Sequence, residues 1–382
     1  MSILSKLLTF KRRLETPFET LNKIYISKEA ILNNFDLFQD LNPDYSIFPV
    51  LKSNAYGHGI KEIAKILKER KLDYIVVDSY YEALKVREVN KTPLLLIGYT
   101  LPRNLSNMDF SFVSLVVYDF ETLSELVRIG KRIKIHLKVD TGMNRQGIYL
   151  EQVMDFVQEV KKHENIILEG ICTHLADADS KDNDYSQMQI VKFKNAIEII
   201  ESAGIKLRHK HLSNSAGAVK FKDPCFSALR LGISLYGVNP LEKSDSSHDD
   251  LNYLKLALSF ESTVILIKDL KKGEKVSYNG TYEATDDMKI AIIPVGYYEA
   301  LSRKLSNNYF YNFSGKNLPI IGRICMNLTV IDVTGTDIKV GDKVEIISAK
   351  HDNNIYEIAS RSETITYECF TRLAESIRRK II

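Results

Sequence analysis

The pattern of hydrophobic and polar positions changes near residue 240. Before that point, from about residue 45 to 237, short continuous apolar runs alternate with segments in which apolar residues recur every three or four positions. Continuous runs are typical of parallel strands that are covered on both faces, and the longer period is typical of amphipathic helices. The predicted strands are SIFPVLK, LDYIVVD, PLLLIGY, VSLVVYD, RIKIHLKVD, ILEGICTHL, KHLSNS and ALRLGISLYG.

Helical segments lie between most of these strands. In DYSQMQIVKFKNAIEIIESAG, the side chains of Phe193, Ile197 and Ile200 fall on one helical face, and Gly204 is placed to end the helix. Another strand–helix pair, KIYISKEAILNNFDLF, precedes the first run. Eight strands, most of them followed by a helix, predict an α/β fold of the (β/α)8 TIM barrel type. The alternative is a doubly wound open sheet, which normally carries a glycine-rich nucleotide motif that this sequence lacks.

After the barrel, the sequence predicts a C-terminal all-β domain. Residues 240–252, PLEKSDSSHDDLN, are polar and turn-rich, and we interpret them as the connection. The runs that follow are rich in β-forming residues and are separated by turn signals such as KKGE and KVGD, and a closing helix is predicted at ECFTRLAESIRRKI. The expected organisation is an N-terminal extension (1–22), the barrel (23–245) and the β-domain (246–382).

Composition and charge exclude several functional classes. Of the 382 residues, 45% are hydrophobic and 26% are charged, which are values of globular proteins with a substantial core. The net charge of +3 is too near balance to indicate nucleic acid or an acidic membrane as a partner. The four cysteines are scattered without metal-binding spacing, so we predict no metal site and expect a reducing cytoplasm.

The N-terminal segment does not resemble a membrane anchor. No apolar stretch in the chain approaches the roughly 20 residues that are needed to cross a bilayer. The start of the chain, MSILSKLLTFKRRLETPFET, mixes leucine and phenylalanine with lysine and arginine, and a lysine interrupts its apolar run. Because this is a poor signal peptide, we expect a short amphipathic helix that packs on the protein.

Polar residues cluster where the predicted barrel strands end, which is where barrel enzymes place their chemistry. Lys52 follows the first strand, His174 ends the sixth, and Asn214 and Ser215 follow the seventh. Each of them alone has an ordinary surface or packing role, but a lysine rarely stays buried unless it pairs or reacts. NSAG and RLG place backbone N–H groups and a hydroxyl where they can bind an anion. A phosphate site beside a reactive lysine suggests pyridoxal 5'-phosphate, whose aldehyde condenses with a lysine amine.

The stretch VLKSNAYGHG, which contains Lys52, resembles the cofactor-lysine signature of the alanine racemases. Further matches, in the family's order, are LKVDTGMNRQG, THLADAD, NSAGA, RLGISLYG and VSYNGTYEA, and the resemblance runs from about residue 24 to the end. It implies a pyridoxal-phosphate-dependent enzyme of fold type III, with an N-terminal barrel and a C-terminal β-domain. It also implies a homodimer whose active sites are shared between the two subunits.

The resemblance assigns chemical roles to three residues. Lys52 would bind the cofactor covalently and act as the base on one face of the substrate Cα, for which its pKa must fall below about 10.4. Tyr278 would act on the opposite face of the substrate, from the partner subunit. Arg230 would face the cofactor's pyridine nitrogen, and because arginine hardly gives up a proton, that nitrogen would stay unprotonated. Side reactions such as transamination would then be suppressed.

The remaining matches would surround the cofactor and the substrate. They are Tyr56, His174, Asn214, Ser215, Gly232, Ile233 and Tyr367 for the cofactor; Arg145 and Met326 for the substrate; Lys138, often carbamylated in this family; and Asp179, Arg303 and Arg323 for an entrance corridor. The sequence departs from the family's usual pattern near the substrate end. There CMD reads CMN with Asn327, GYADG or GYGDG reads GYYEA with Glu299 and Ala300, and VPR reads IRR.

The implied function is alanine racemase activity, the interconversion of L- and D-alanine by two-base proton transfer, which supplies D-alanine for peptidoglycan. A broad-specificity racemase, or one that acts on serine or lysine, remains open because Asn327 touches the expected pocket. A related decarboxylase is disfavoured by Arg230, since those enzymes typically place an acidic residue at the pyridine nitrogen. A non-catalytic pyridoxal-phosphate homeostasis protein is a lone barrel, and here about 130 residues follow the barrel.

Overall fold

The computed structural model describes residues 19–382, which form two compact units. The barrel unit comprises Ile26–Leu258, Ile365–Glu375 and Ile381–Ile382. The β unit comprises residues 19–25, Ser259–Thr364 and Ser376–Lys380. The helix that we expect in the N-terminal extension lies outside the described residues. Within residues 19–382, no helix combines the length and the apolar character that a membrane crossing requires.

In the barrel unit, strands and helices alternate along the chain as the sequence pattern predicts. The strands are β1 (Lys23–Ile26), β2 (Ser46–Pro49), β3 (Ile75–Val77), β4 (Leu94–Leu96), β5 (Val113–Val117), β6 (Ile133–Lys138), β7 (Ile166–Cys172), β8 (His209–His211), β9 (Ala228–Leu231), β10 (Leu258–Thr263), β11 (Leu266–Leu270), β12 (Lys275–Val276), β13 (Tyr282–Glu283), β14 (Met288–Ile293), β15 (Phe310–Phe313), β16 (Lys316–Pro319), β17 (Thr329–Asp332), β18 (Lys343–Ile347) and β19 (Arg378–Ile381). The α-helices are α1 (Lys28–Leu41), α2 (Ile60–Ile66), α3 (Tyr80–Arg87), α4 (Pro102–Leu105), α5 (Phe120–Ile129), α6 (Val153–Lys161), α7 (Asp184–Ser202), α8 (Gly217–Lys220), α9 (Ile355–Arg361) and α10 (Thr366–Thr371).

Eight parallel strands, β2 to β9, form the barrel, which confirms the predicted fold. Strands β3 to β8 are neighbours in chain order, and β9 pairs with β2. Backbone hydrogen bonds connect these two sheets, because Leu51 N–H donates to Val76 O at 2.8 Å and Arg230 N–H donates to Ser213 O at 2.9 Å. The ring therefore brings the C-terminal ends of all eight strands to one rim.

The sequence explains why these elements form. All three residues of β4, Leu94–Leu96, are buried, as a continuous apolar run requires when both faces of a sheet are covered. In α7, Phe193, Ile197 and Ile200 are all buried, so the predicted core face of this helix is confirmed. The side chains of Ser79 and Asp119 accept hydrogen bonds from backbone N–H groups in the first turns of α3 and α5, which fixes where those helices begin.

The β unit consists mainly of antiparallel strands. One six-stranded sheet has the order β16-β15-β18-β10-β1-β19, and a three-stranded sheet has the order β11-β14-β17. Strands β15 and β16 form a hairpin that the sequence analysis missed. Its turn places Ser314 and Gly315 at φ of 51° and 84°, and this pair of left-handed residues matches the twist of a tight hairpin.

The prediction of one closing helix over ECFTRLAESIRRKI is wrong. Helix α10 ends at Thr371, and Arg378–Ile381 forms strand β19 at the edge of the six-stranded sheet. The alternating burial of this strand, with Arg378 and Lys380 exposed, has the period of a half-covered strand. Pairing with the edge of an existing sheet satisfies its backbone groups, which overrides the helical propensity of the segment.

Candidate active site

A cavity of about 840 Å³ lies at the rim formed by the C-terminal ends of the barrel strands. Its volume falls within the range of small-molecule and cofactor sites. All barrel-unit residues that the sequence analysis singled out line this one cavity: Lys52, Tyr56, Lys138, Arg145, His174, Asp179, Asn214, Ser215, Arg230, Gly232, Ile233 and Tyr367. The structure therefore brings together side chains that lie up to 315 positions apart in the sequence (367 − 52 = 315).

Lys52 begins an unusual turn of the backbone. The four residues that follow it, from Ser53 to Tyr56, have φ between 52° and 55°, so they form a left-handed turn built without glycine. Left-handed backbone costs an L-residue roughly 1–2 kcal/mol, so the surroundings must hold this turn in place. Gly57 closes it at φ 80°, where a side chain would lie 2.0 Å from the carbonyl oxygen of Phe370 in α10.

The carboxylate of Glu82 holds the first part of this turn. Its Oε1 accepts a hydrogen bond from Ser53 N–H at 2.6 Å, and its Oε2 accepts one from Asp78 N–H at 2.8 Å. Asn54 adds a third contact, since its Oδ1 accepts from Ile60 N–H at 2.9 Å. Glu82 therefore joins the turn that carries Lys52 to the end of the neighbouring strand β3.

Two lysines in the cavity have lowered pKa values. Burial lowers the pKa of Lys52, the cations Arg145 and Arg230 lower it further, and the nearby carboxylates Asp78 and Glu82 oppose the shift. Burial also lowers the pKa of Lys138, whose Nζ donates to Gln146 Oε1 at 3.0 Å. A lysine with a lowered pKa has a larger neutral fraction near pH 7, and only the neutral amine is a nucleophile or a base.

Arg230 is buried in β9, and four hydrogens of its guanidinium group are surrounded by acceptors. Nη1 donates to Nδ1 of His211 at 2.8 Å and to His211 O at 2.9 Å. Nη2 contacts Thr173 O at 2.7 Å, Leu212 O at 3.0 Å and Nδ1 of His174 at 3.1 Å. Among the described residues, no acceptor contacts Nε–H, so this donor is available to a ligand in the cavity. Burial lowers the pKa of His174 well below its ordinary value, which keeps its imidazole neutral.

Ser215, Gly232 and Tyr56 form another part of the cavity wall, where two hydroxyl groups can donate hydrogen bonds. Ser215 Oγ accepts hydrogen bonds from Gly232 N–H at 3.2 Å and from Ser234 N–H at 3.3 Å, which leaves its own O–H hydrogen to donate. A Cβ atom at Gly232 would lie 2.9 Å from the hydroxyl oxygen of Tyr56, so only glycine leaves this space open. Burial raises the pKa of Tyr56 to about 12 and also raises that of Tyr367, so both phenols remain hydrogen-bond donors.

The polar residues Arg145, Asn214 and Asp179 complete the sequence-predicted set in this unit. Arg145 is exposed at the cavity, and among the described residues it makes no hydrogen bond or ion pair. Asn214 Oδ1 accepts from Gly217 N–H at 2.9 Å, which fixes the loop before α8. Asp179 is an exposed part of the wall.

Four sequence-predicted residues, Tyr278, Met326, Arg303 and Arg323, lie in the β unit. The side chains of Tyr278 and Met326 are 69% and 56% exposed. Ser277, beside Tyr278, donates its hydroxyl to Arg323 O at 2.6 Å. Ser306 bridges the same loops, because its Oγ donates to Arg303 O at 2.6 Å and accepts from Ile324 N–H at 3.1 Å. These four residues therefore belong to one hydrogen-bonded group of loops.

The sequence analysis missed the residues that support the site. Asp78 and His211 line the cavity, and Glu82 holds the turn after Lys52. The sequence signal for Glu82 is Ser79-x-x-Glu82, which is typical of a capping box. Ser79 caps α3 as that motif predicts, but the carboxylate of Glu82 contacts Asp78 and Ser53 instead. No local pattern in the sequence indicates that Ser53 lies within its reach.

Comparison with known proteins assigns the chain to a family. Residues 26–240 match the sequence profile of the alanine racemase N-terminal domain, and residues 257–381 match that of the C-terminal domain. Alanine racemase 1 of Caldanaerobacter subterraneus subsp. tengcongensis is 34% identical over 94% of both chains. The alanine racemase of Methanococcus maripaludis is 35% identical, over 93% of this chain and 96% of its own.

The chain belongs to the alanine racemase family.

The fold agrees with solved alanine racemases. The structure of the alanine racemase of Clostridium difficile 630 superposes with a TM-score of 0.89, at 30% identity and with 96% of each chain covered. The resemblance to the alanine racemases, which the motif around Lys52 first indicated, is therefore confirmed over nearly the whole chain. The alanine racemase family is pyridoxal-phosphate-dependent, so the cavity is to be judged by how well it fits that cofactor.

Proposed function

We propose that this protein is a pyridoxal-phosphate-dependent alanine racemase that interconverts L- and D-alanine. The observation that carries the proposal is the convergence of Lys52 and Arg230 in one cavity of the barrel unit. One is a lysine with a lowered pKa, and the other is a buried guanidinium with a free Nε–H donor. The lysine amine can bind an aldehyde cofactor covalently, and the arginine can donate a hydrogen bond to its pyridine nitrogen.

The cavity wall fits pyridoxal 5'-phosphate on its own chemistry. Its phosphate group would contact the Ser215 and Tyr56 hydroxyls in the space left open by Gly232, with Ile233 and Tyr367 beside it. Its ring would lie between His174 and Asn214, and Arg145 is available to its phenolic oxygen and to the substrate carboxylate. When bound, the cofactor withdraws electrons from the substrate Cα and thereby acidifies the C–H bond.

Lys52 binds the cofactor covalently and, once released, exchanges a proton with one face of the substrate Cα. Its lowered pKa suits this role, because a base is most effective when its pKa lies near the working pH. The opposite face is served by Tyr278 of the partner subunit, so the active form is a homodimer with shared sites. Support for this comes from the 69% exposure of Tyr278 and the 56% exposure of Met326, whose backbone N–H would contact the substrate carboxylate.

When the cofactor is bound, Arg230 would donate its Nε–H to the pyridine nitrogen, which would leave that nitrogen unprotonated. A guanidinium does not give up a proton, and the neutral His174 and His211 beside it can only accept from it. Electron withdrawal into the ring is then limited, which favours prompt return of a proton to Cα over transamination. Lys138 would supply an anion beside Arg145 if it is carbamylated, and its lowered pKa supports that reaction.

The proposal also covers the entrance to the active site, the use of the product, the domain organisation and the cellular compartment. By their match to the family's motifs, Asp179, Arg303 and Arg323 are assigned to the entrance corridor of the family, and D-alanine would be the product supplied for peptidoglycan. The domain organisation is an N-terminal extension of residues 1–22, a barrel of residues 23–245 and a β-domain of residues 246–382. We place the enzyme in the cytoplasm, because all four cysteines are free thiols, as a reducing compartment maintains.

The deciding experiment incubates the purified protein and pyridoxal phosphate with L-alanine in heavy water. We expect D-alanine to form with deuterium at Cα, and Lys52→Ala to abolish both this exchange and the visible absorbance of the bound cofactor. Tyr278→Phe should lose racemisation while keeping the absorbance. The matched control is Tyr253→Phe, which removes a hydroxyl from an equally exposed tyrosine, 75% exposed, and should leave the rate unchanged.

Further measurements separate the alternatives. Parallel incubations with L-serine and L-lysine show whether alanine is preferred, since Asn327 departs from the family pattern. A protein that binds the cofactor but exchanges no Cα hydrogen with any amino acid would be a carrier, and the proposal would fail. Mixing inactive Lys52→Ala and Tyr278→Phe subunits should restore activity, because a mixed dimer contains one intact shared site. No recovery in demonstrated mixed dimers would contradict the shared site.

A further inference from the structure

A row of buried polar side chains extends from Arg230 across the inside of the barrel. Nη1 of Arg230 lies 2.8 Å from Nδ1 of His211, and Nε2 of His211 lies 2.8 Å from Nδ1 of His136. Nε2 of His136 then faces Oε2 of Glu169 at 3.8 Å. Both histidines are fully buried, and Glu169 is 7% exposed. The row crosses strands β9, β8, β6 and β7, all within the barrel unit.

The chemistry of Arg230 fixes the proton positions at one end of this row. A guanidinium group has donors and no acceptor, so Nδ1 of His211 must be unprotonated to accept from it. A neutral His211 then carries its hydrogen on Nε2 and donates to Nδ1 of His136. A neutral His136 in turn carries its hydrogen on Nε2, which is the nitrogen that faces Glu169.

The opposite arrangement is unfavourable at both ends. It would direct Nδ1–H of His211 at the donors of Arg230, and it would direct the bare Nε2 lone pair of His136 at a carboxylate oxygen. Both contacts are unfavourable because neither group can turn to water in the buried interior. Burial lowers the pKa of both histidines, which agrees with two neutral rings.

Glu169 is held as an anion at the far end of the row. Tyr74 donates its hydroxyl to Oε2, and Lys134 Nζ donates to Oε1 at 2.7 Å. Arg208 approaches the same carboxylate at 3.9 Å. Burial alone would raise the pKa of Glu169, but the contacts from His136, Lys134 and Tyr74 lower it well below its ordinary value. The two ends of the row, a fixed cation and a fixed anion, therefore impose the same direction.

We infer that His211 and His136 are positioning residues that hold the Arg230 guanidinium through two hydrogen bonds of one direction, from Arg230 to His211 and from His211 to His136, with Nε2–H of His136 directed at the Glu169 carboxylate 3.8 Å away. Each group donates away from the cavity, so the Nη1 edge of Arg230 is anchored and its Nε–H keeps one orientation. The effect on catalysis rests on the proposed function. The proton arrangement itself does not, because it follows from contacts inside the barrel unit alone.

The direct test locates the ring protons in the full-length protein. Nitrogen-15 NMR of protein labelled at histidine distinguishes a protonated from an unprotonated ring nitrogen, and single substitutions assign the signals among the eight histidines. At neutral pH we expect His211 and His136 both to carry hydrogen on Nε2 and none on Nδ1, with or without added pyridoxal phosphate. Hydrogen on Nδ1 of either ring, or a charged ring, would overturn the inference.

A second test compares two replacements that have the same branching and the same number of side-chain heavy atoms. His211→Asn can present its side-chain oxygen where Nδ1 stood and so still accept from Arg230, whereas His211→Leu offers no acceptor. We expect His211→Leu to lower kcat about 100-fold with KM changed little, as a misplaced group in an active site does. His211→Asn should recover most of that loss.

Equal losses in both variants would mean that His211 only fills space, and would refute its positioning role. Racemisation in either variant is measured beside the thermal midpoint, so that a folding defect is recognised. Wild-type protein with the expected ring protons but without racemase activity would support the hydrogen-bonded chain and overturn the proposed function instead.

Discussion

Asn327 donates its side-chain Nδ2–H to Oε1 of Glu299 at 3.1 Å, in the β unit. The other oxygen of Glu299 accepts Gly296 N–H at 2.9 Å, and the carboxylate is 8% exposed. A backbone hydrogen bond connects the same two loops, because Tyr298 N–H donates to Met326 O at 2.9 Å. Two departures from the family's usual sequence are therefore in direct contact, and they join the loop of Met326 to the loop of Glu299.

This contact predicts that Asn327→Asp is harmful on its own. It would place a second carboxylate against a buried one, and we expect a loss of about 1–3 kcal/mol in the free energy of unfolding, with a raised KM for alanine. Urea unfolding and steady-state kinetics measure both effects.

The matched control for this pair exchanges the two groups. In Asn327→Asp combined with Glu299→Gln, an amide again faces a carboxylate, so most of the stability should return. A double variant no better than Asn327→Asp would show that the two side chains are not coupled.

The left-handed turn after Lys52 predicts a strong effect at Glu82. Glu82→Ala removes the acceptor of Ser53 N–H and Asp78 N–H, so we expect about 1–3 kcal/mol of destabilisation and weaker retention of the cofactor. Glu82→Gln keeps one oxygen acceptor and should fall between wild type and alanine. Unfolding curves and cofactor titrations check this order, and an alanine variant that retains the cofactor like wild type would contradict it.

The lowered pKa of Lys52 predicts a pH-dependent effect on stability. Below its folded pKa, Lys52 is charged in both the folded and the unfolded protein, and burial makes that charge unfavourable in the fold. This destabilisation is fully present below the folded pKa and disappears as pH rises from the folded pKa to the ordinary value of 10.5. Lys52→Met, without cofactor, should therefore be more stable than wild type at pH 7.

The pH series provides the check on that expectation. Denaturant unfolding of both proteins from pH 7 to about pH 10 should show the advantage of Lys52→Met shrinking as pH rises. A difference that stays constant over this interval would mean that packing of the methionine, and not the charge of Lys52, causes it.

The ion pair between Lys220 and Asp245 predicts a large loss when one partner is removed. Lys220 Nζ and Asp245 Oδ2 lie 2.7 Å apart, and the two side chains are only 4% and 3% exposed. Lys220→Met would therefore leave the Asp245 carboxylate buried without its cation. We expect a loss of about 3–5 kcal/mol in the free energy of unfolding. The same change at the exposed Lys61, which pairs with Glu88, should have an effect within about 1 kcal/mol.

A double variant tests whether the loss comes from the unpaired charge. Lys220→Met combined with Asp245→Leu leaves no buried charge, so it should recover a large part of the stability in urea unfolding. If the double variant is as unstable as Lys220→Met alone, the packing of this segment and not its charge would be decisive.

The sequence alone predicts the barrel and twelve of the residues that line its cavity, but not Asp78 or His211. Continuous apolar runs such as β4 are recognisable because strands covered on both faces need no polar positions, and the core face of α7 follows from its helical period. Site residues such as Lys52 and His174 were found because parallel strands place their chemistry at one end, and the family's motifs identified the rest.

Tertiary structure alone decided the supports of that site and the last strand. Glu82 reaches Ser53 across 29 positions, and Glu169 lies at the end of a row that begins at Arg230, on another strand. Such contacts depend on how strands and helices pack in space, which no local period records. Strand β19 forms because the edge of a sheet offers its backbone partners that a short helix at the chain end would lack.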